Sequence, residues 1–219
     1  MHGTRLPEAS YLMIMTKQIA CSASLFLLTF LPGVQGVPAP SNDALAYSSD
    51  GNLIAPSHYR EWVYLTSGID MSYAAANATP DHSMFDNVFV NPTAYHSFMT
   101  TGTWPDKTTL VLEVRGAQNP VSINKHGHTQ SAELMGMEIH VKDHGAWSFY
   151  DLSDGGPVAK LIPRPASCYT CHEAHAAVDT TFVQFYPTLL PLATQKKTLS
   201  DGYLKAIHEM TPVAQPPAK

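Results

Sequence analysis

Three runs between residues 108 and 152 alternate apolar and polar side chains, and this alternation limits the fold more than any other feature of the chain. Residues 108–115 (TTLVLEVR), 135–142 (MGMEIHVK) and 146–152 (AWSFYDL) each carry the period of two expected of a strand. The last two are joined only by a turn over 143–145, and neighbours linked so tightly pair antiparallel. Further strands are predicted over 59–66 (YREWVYLT), with Trp62 and Tyr64 on one face, and over 86–90. Between them, 68–80 and 116–130 read as loops. Asn91-Pro92 opens a helix with Tyr95, Phe98 and Met99 on one face, and Gly102 stops it. Ser167 is a plausible N-cap for a helix around residue 170, and a last helix is expected over 198–210. The fold class is therefore α+β: a mostly antiparallel sheet with flanking helices. No internal repeat is visible.

The N-terminus has the order of a secretory leader. Lys17 precedes an apolar run over 19–31, and small residues follow at 33–37. Residues 1–36 are read as a signal peptide, and Met15 fits as the true start because 1–14 lack that order. Pro32 and Gly33 break the run too early for a confident membrane span. Residues 37–57 are expected as a linker, 58–192 as the domain and 193–219 as a C-terminal extension. The expectation is an exported, periplasmic protein with no stable membrane insertion. The net charge is −5, and losing Arg5, Glu8 and Lys17 on cleavage makes it one unit more negative. Such a surface repels phosphate backbones, which argues against nucleic acid. With 44% hydrophobic and 14% charged residues the chain can bury a core.

Cleavage removes Cys21 and leaves two cysteines. Both lie in Cys168-Tyr169-Thr170-Cys171-His172, a C-x-x-C-H pentapeptide. Two thiols three positions apart at the start of a helix can add to the two vinyl groups of one haem. The adjacent imidazole can then reach the iron. Three other uses remain open: a redox-active pair, a zinc site recruiting His175, and a plain disulfide. The redox pair would sit after a strand in a βαβ unit, and none is visible. Zinc would crowd its ligands into one turn of chain. One covalent haem c held by Cys168 and Cys171, with His172 on the iron, is the leading expectation. Only 47 residues follow His172, and Met210 is the one methionine among them. Electron-carrier cytochromes usually carry the motif early, with a ligand methionine well downstream. A haem on a β-rich domain with an open sixth position is expected instead.

The whole pattern resembles the cytochrome P460 family, over about residues 50–192. The resemblance rests on 59–63 (YREWV), on 88–92 (VFVNP) followed by Tyr95, on Thr101-Gly102 and on 108–113. It continues in 147–150 (WSFY), the C-x-x-C-H motif and 181–187 (TFVQFYP). It implies an antiparallel β domain with flanking helices, often a homodimer, holding a five-coordinate haem. Family members include hydroxylamine oxidases and the β-type cytochromes c′, which bind nitric oxide or carbon monoxide. The oxidases carry a lysine cross-linked to the haem ring, and the matching residue here is Leu112, which cannot form that bond. Lys107, five residues away in a turn, is no substitute. The resemblance therefore implies a binder or transformer of nitric oxide, hydroxylamine or a related ligand, either an oxidoreductase or a carrier without turnover, with a redox partner protein possible. A simple electron-transfer cytochrome is the further alternative.

Other side chains complete the expected site. Phe182, Phe185 and Tyr186 could line the haem and keep water off the iron. Arg164, between two prolines, could pair a propionate. Glu113, Glu133 and Glu138 could carry protons, with Glu113 and Glu138 the named catalytic candidates. His140 alternates with Glu138 and is expected on the polar face. Met135 and Met137 are expected together on the buried one. His126 and His128 are too few ligands for a second metal site.

Overall fold

A computed structural model describes residues 44–73, 83–153 and 155–210. One eight-stranded antiparallel sheet organises them, in the order β1-β2-β8-β7-β6-β5-β4-β3. The strands are β1 Ala46–Tyr47, β2 Leu53–Ile54, β3 Val63–Ile69, β4 Met84–Val90, β5 Thr109–Gln118, β6 Thr129–Asp143, β7 Ala146–Asp151 and β8 Val158–Leu161. From β3 to β8 each strand lies beside its sequence neighbours, as short connections require. Among the described residues four α-helices accompany the sheet: α1 Pro92–Thr101, α2 Ser167–His175, α3 Leu190–Lys196 and α4 Asp201–Met210. This is the α+β architecture expected from the alternating runs. The expected leader lies outside the described residues, as does most of the loop over 68–80. Among the described residues no helix is long and apolar enough to cross a membrane.

Alternation gives the sheet two different faces. Phe89, Val111, Met137, Ile139, Val141 and Tyr150 point one way and close over Leu53, Tyr59, Leu152 and Ala159. Val90, Leu110, Trp147 and Phe149 point the other way and pack beneath Phe98, Trp104, Tyr169, Val183, Tyr186 and Leu189. The helices and the C-terminal segment cover this second face.

Several local expectations change on folding. Residues 59–61 form a 3-10 turn instead of the start of a strand. Successive strand residues point to opposite faces, yet the side chains of Tyr59 and Arg60 both bond Glu113, so the chain must turn there. A register shift between Val114 and Arg115 sets Gly136 and Leu134 opposite consecutive residues of β5 and skips Met135. Met137 is buried but Met135 is 40% exposed, so the two do not share the buried face. Asn91 precedes α1 but makes no side-chain cap. Its Oδ1 accepts from Thr109 N at 2.8 Å and its Nδ2 donates to Lys107 O, tying the helix entry to β5. Gly102 ends α1 with φ 77°, as expected. On α1 the buried residues are Ala94 and Phe98, while Met99 points outward. Ser167 is the first residue of α2, and Ala166 takes the cap position.

Two segments expected to lie outside the domain add to it. Within the expected linker, β1 and β2 extend the sheet beside β8. Within the expected extension, Thr198 Oγ1 donates to Gly102 O at 2.7 Å, and Ser200 Oγ donates to Ala176 O at 2.6 Å. A Cβ on Gly202 would lie 2.5 Å from Ala174 O, so α4 sits on α2 at a distance only glycine permits.

Candidate functional site

The covered face of the sheet is open in one place. A cleft of about 350 Å³, or about 1200 Å³ with its mouth, has a floor of alternate residues from four strands. Thr66 and Gly68 come from β3, Met84, Asp86 and Val88 from β4, Leu110, Leu112 and Val114 from β5, and Glu138 and His140 from β6. His172, Thr181, Phe182, Phe185 and Tyr186 wall it from the C-terminal side, with Met71 and Tyr73 at the rim. The lining is mainly apolar with a few polar groups, the usual constitution of a small-molecule site.

Helix α2 brings His172, the last residue of the C-x-x-C-H motif, into the lining of this cleft. The thiols of Cys168 and Cys171 are free and half-buried, one helical turn apart. Between them in sequence, Tyr169 anchors the helix. It is buried and stacks on Phe149 at 4.3 Å and 4°. Its hydroxyl donates to Ile162 O at 3.0 Å and accepts from Phe149 N at 2.9 Å. Motif chemistry alone does not single out this positioning residue. A phenol between two cysteines was the available signal.

His172 follows with its orientation set. Its Nδ1 lies 2.8 Å from Thr180 O, which places the ring proton on Nδ1 as donor. Nε2 has no hydrogen-bond partner among the described residues. Asp179 and Thr180 both adopt left-handed φ, 49° and 58°, in the tight turn closed by the Val178–Thr181 bridge. That conformation is costly for a β-branched residue, and here it aims the Thr180 carbonyl at the imidazole. Trp104 Nε1 braces the turn by donating to Thr181 Oγ1 at 2.8 Å. Burial, and then the neighbouring His140, push the His172 pKa down to about 4, against smaller opposing effects from Thr180 and Glu138. The imidazole is neutral at neutral pH, the form a metal binds.

The polar side of β6, where His140 was expected, turns out to be the cleft floor. The His140 side chain is only 14% exposed. It stacks on Phe149 at 3.9 Å and meets the His172 ring edge-on at 5.0 Å. Its Nε2 lies 3.7 Å from Glu138 Oε2, and this contact holds the Glu138 pKa below its ordinary value, over the opposing effect of burial. Asp86 is half-buried on β4. Burial, then Glu138 and Asp70, raise its pKa. Asp86 and Val88 share a face of β4, and a short strand pattern over 86–90 does not say that this face becomes the cleft.

The remaining candidates divide between the cleft and elsewhere. Phe182, Phe185 and Tyr186 line the cleft, and Phe182 lies 4.2 Å from the His172 ring. Glu138 lines it too, and so does Leu112, paired across the sheet with Glu138 and Val88. Glu113 does not. It points to the opposite face, fully buried, and accepts hydrogen bonds from Tyr59, Arg60, Asn87 and Arg115. Arg164 also stands apart from the cleft. It donates to Trp147 O at 2.9 Å and lies over the Tyr169 ring. A second cavity of about 250 Å³ runs behind His172, bounded by Trp147, Arg164 and Thr180. It has room for water to reach Trp147 Nε1 and Thr180 Oγ1, which have no protein partner. Lys107 sits in its turn, paired with Asp143 at 2.5 Å. Among the described residues no lysine or arginine lines the cleft.

These residues fit a haem. Two free thiols on one turn, an adjacent neutral imidazole with an unpartnered Nε2, and aromatic walls around an open cleft are the donor set and the enclosure such a group needs. Zinc finds no comparable site. Among the described residues no cluster of three or more histidine, cysteine, aspartate and glutamate side chains is arranged to hold an ion.

Comparison with known proteins agrees. No curated protein matches the chain. The family model described as Cytochrome P460 matches residues 56–183, a stretch that contains every strand from β3 to β8, α2 and the C-x-x-C-H motif. With more than half its length under that model, the chain belongs to the cytochrome P460 family, in which the expected cofactor is haem c.

Proposed function

We propose that this protein carries one haem c, bound covalently through Cys168 and Cys171, with His172 as its protein ligand and the opposite iron position open to a small ligand. The observation that carries the reading is the state of His172. It is neutral, its Nδ1 is committed to Thr180, and its Nε2 is left for a metal beside two free thiols. When bound, the haem supplies an iron that can hold nitric oxide, carbon monoxide or hydroxylamine and exchange electrons with it. The chain's own residues do the rest. Thr180 orients the imidazole and raises its basicity. Tyr169 and Phe149 hold α2 against the sheet. Phe182, Phe185 and Tyr186 exclude water.

Leu112 favours binding over hydroxylamine oxidation, because the floor offers an aliphatic side chain where a cross-linking lysine would stand. A second reading, turnover of a nitrogen-oxide substrate, is favoured by Asp86 and Glu138, two carboxylates in the same cleft able to take a proton from a bound ligand. With the leader-like N-terminus, the reading places the protein outside the cytoplasm. We further propose that it acts as a homodimer and exchanges electrons with a partner protein.

Mass spectrometry and absorption spectra of the matured protein test the reading. The expected results are the added mass of one haem, a high-spin ferrous spectrum without added ligand, and a shifted Soret band with nitric oxide. A chain without the tetrapyrrole mass would overturn the attachment. A low-spin six-coordinate spectrum without ligand would overturn the open site and direct attention to Met71 and Met84, the two thioethers in the cleft lining.

A further inference from the structure

The carboxylate of Asp86 stands out among the acids of the cleft. It is half-buried, it shares the floor with Glu138, and among the described residues no hydrogen-bond donor reaches it. Elsewhere among the described residues, buried and half-buried acids are tied down. Glu113 has four partners, and Asp179 pairs with Lys142 at 2.5 Å. An unpartnered acid in a walled cleft is costly to keep, and the charge balance around it is one-sided. Two carboxylates line the cleft and no lysine or arginine does.

The position of Asp86 relative to His172 gives this charge a use. His172 meets the floor over β6 and β7, where it touches His140 and Phe149. Asp86 rises from β4, on the far side of β5. Strands are spaced about 4.8 Å apart, and Asp86 is level with Gly136, four residues before His140 on β6, so the two stand roughly 15 Å apart across the floor. A ligand entering between them meets the negative field of Asp86 and a free acceptor oxygen.

Resting on the proposed open iron site, we infer that Asp86, seconded by Glu138, sets the charge specificity of the cleft. It disfavours small anions and favours uncharged or cationic ligands that bring an N–H or O–H to donate. The field repels an anion wherever in the cleft it binds, and its strength depends on the mean charge of the floor. The lone acceptor gives a donor-bearing ligand a hydrogen bond that the chain itself leaves unmade.

The test uses the full-length, haem-loaded ferric protein. Azide serves as the anionic probe and imidazole as the neutral, N–H-bearing one, both titrated by the Soret shift. One unit charge about 10 Å away through a half-wet cleft is worth roughly tenfold in affinity. Asp86→Asn is expected to tighten azide binding by about that factor, and imidazole binding is expected not to tighten with it. Glu138→Gln is expected to give a smaller azide gain, because His140 already attends that carboxylate. A salt series on the unmodified protein gives the same answer without any variant. Azide affinity should rise with ionic strength as the repulsion is screened, and imidazole affinity should not. Azide affinity that is indifferent both to Asp86→Asn and to salt would overturn the inference. A protein whose Soret band responds to neither probe would instead overturn the open iron site, and the inference with it.

Discussion

Glu113 and Asp86 lie on adjacent strands, each opposite the other's next residue, yet they lead opposite lives. Glu113 pairs across the sheet with Asn87, and Asp86 with Val114, so the two carboxylates emerge on opposite faces. On the closed face Glu113 is fully buried and receives donors from Tyr59, Arg60, Asn87 and Arg115. Burial alone would raise its pKa. The bonds from Arg115, Tyr59 and Arg60 outweigh burial and hold it at about 2. On the cleft face Asp86 has no donor among the described residues, and burial moves its pKa up instead. An acid surrounded by donors stabilises the fold. An acid left without them has its acceptor oxygens free, which is the basis of the charge specificity inferred for the cleft.

Removing the closed-face acid should have the largest effect. Glu113→Gln leaves two guanidinium groups facing a neutral amide and is expected to cost on the order of 3 kcal/mol in urea unfolding. The same contrast shows in acid. The folded pKa of Glu113 lies below its ordinary 4.5, so its stabilisation is present in full above that value. It is lost as pH falls from about 4.5 toward 2. The unmodified protein should show this acid limb, and Glu113→Gln should lack it. An unchanged limb would mean the four donors do not act together.

A smaller effect tests what holds the motif helix to the cleft face. Tyr169→Phe keeps the stack on Phe149 but loses the bonds to Ile162 O and from Phe149 N. It is expected to cost about 1–2 kcal/mol and to perturb the haem spectrum, since α2 carries both thiols and His172. The smallest effect belongs to Asp86→Asn. A folded pKa raised above the unfolded value means that the ionised form is disfavoured on folding at neutral pH. Neutralising it should therefore raise stability, by about 0.5 kcal/mol. A loss of stability comparable to that of Glu113→Gln would erase the distinction between the two acids.

Much of this was legible in the residues themselves. The alternation over 108–152 announced β5, β6 and β7, although β5 runs on to Gln118 and β6 begins at Thr129, both inside the expected loop over 116–130; Gly102 ended α1 where expected. Five consecutive residues carried the expectation of haem c, which the family match supports, because the spacing of two thiols and an imidazole is local. Less legible were the short strands β1, β2 and β8, which lack the length to show a period, and α3, a seven-residue helix of about two turns whose buried residue is Ala193.

The sequence by itself therefore determined the local periods and the reactive pentapeptide, both of which depend on residues within a few positions of one another. Tertiary structure alone decided what each face means. Alternation sets Asp86 apart from Asn87 and Glu113 apart from Val114, but only the strand register puts the two acids on opposite faces, and only the packing of the helices says which side is open. Two of the donors that make Glu113 a structural ion, Tyr59 and Arg60, are 54 and 53 residues away. A bulge at Met135 and a turn at Tyr59 each override a correct local pattern, because long-range pairing and the cost of an unpartnered buried charge outweigh the preference of a few residues for one backbone form.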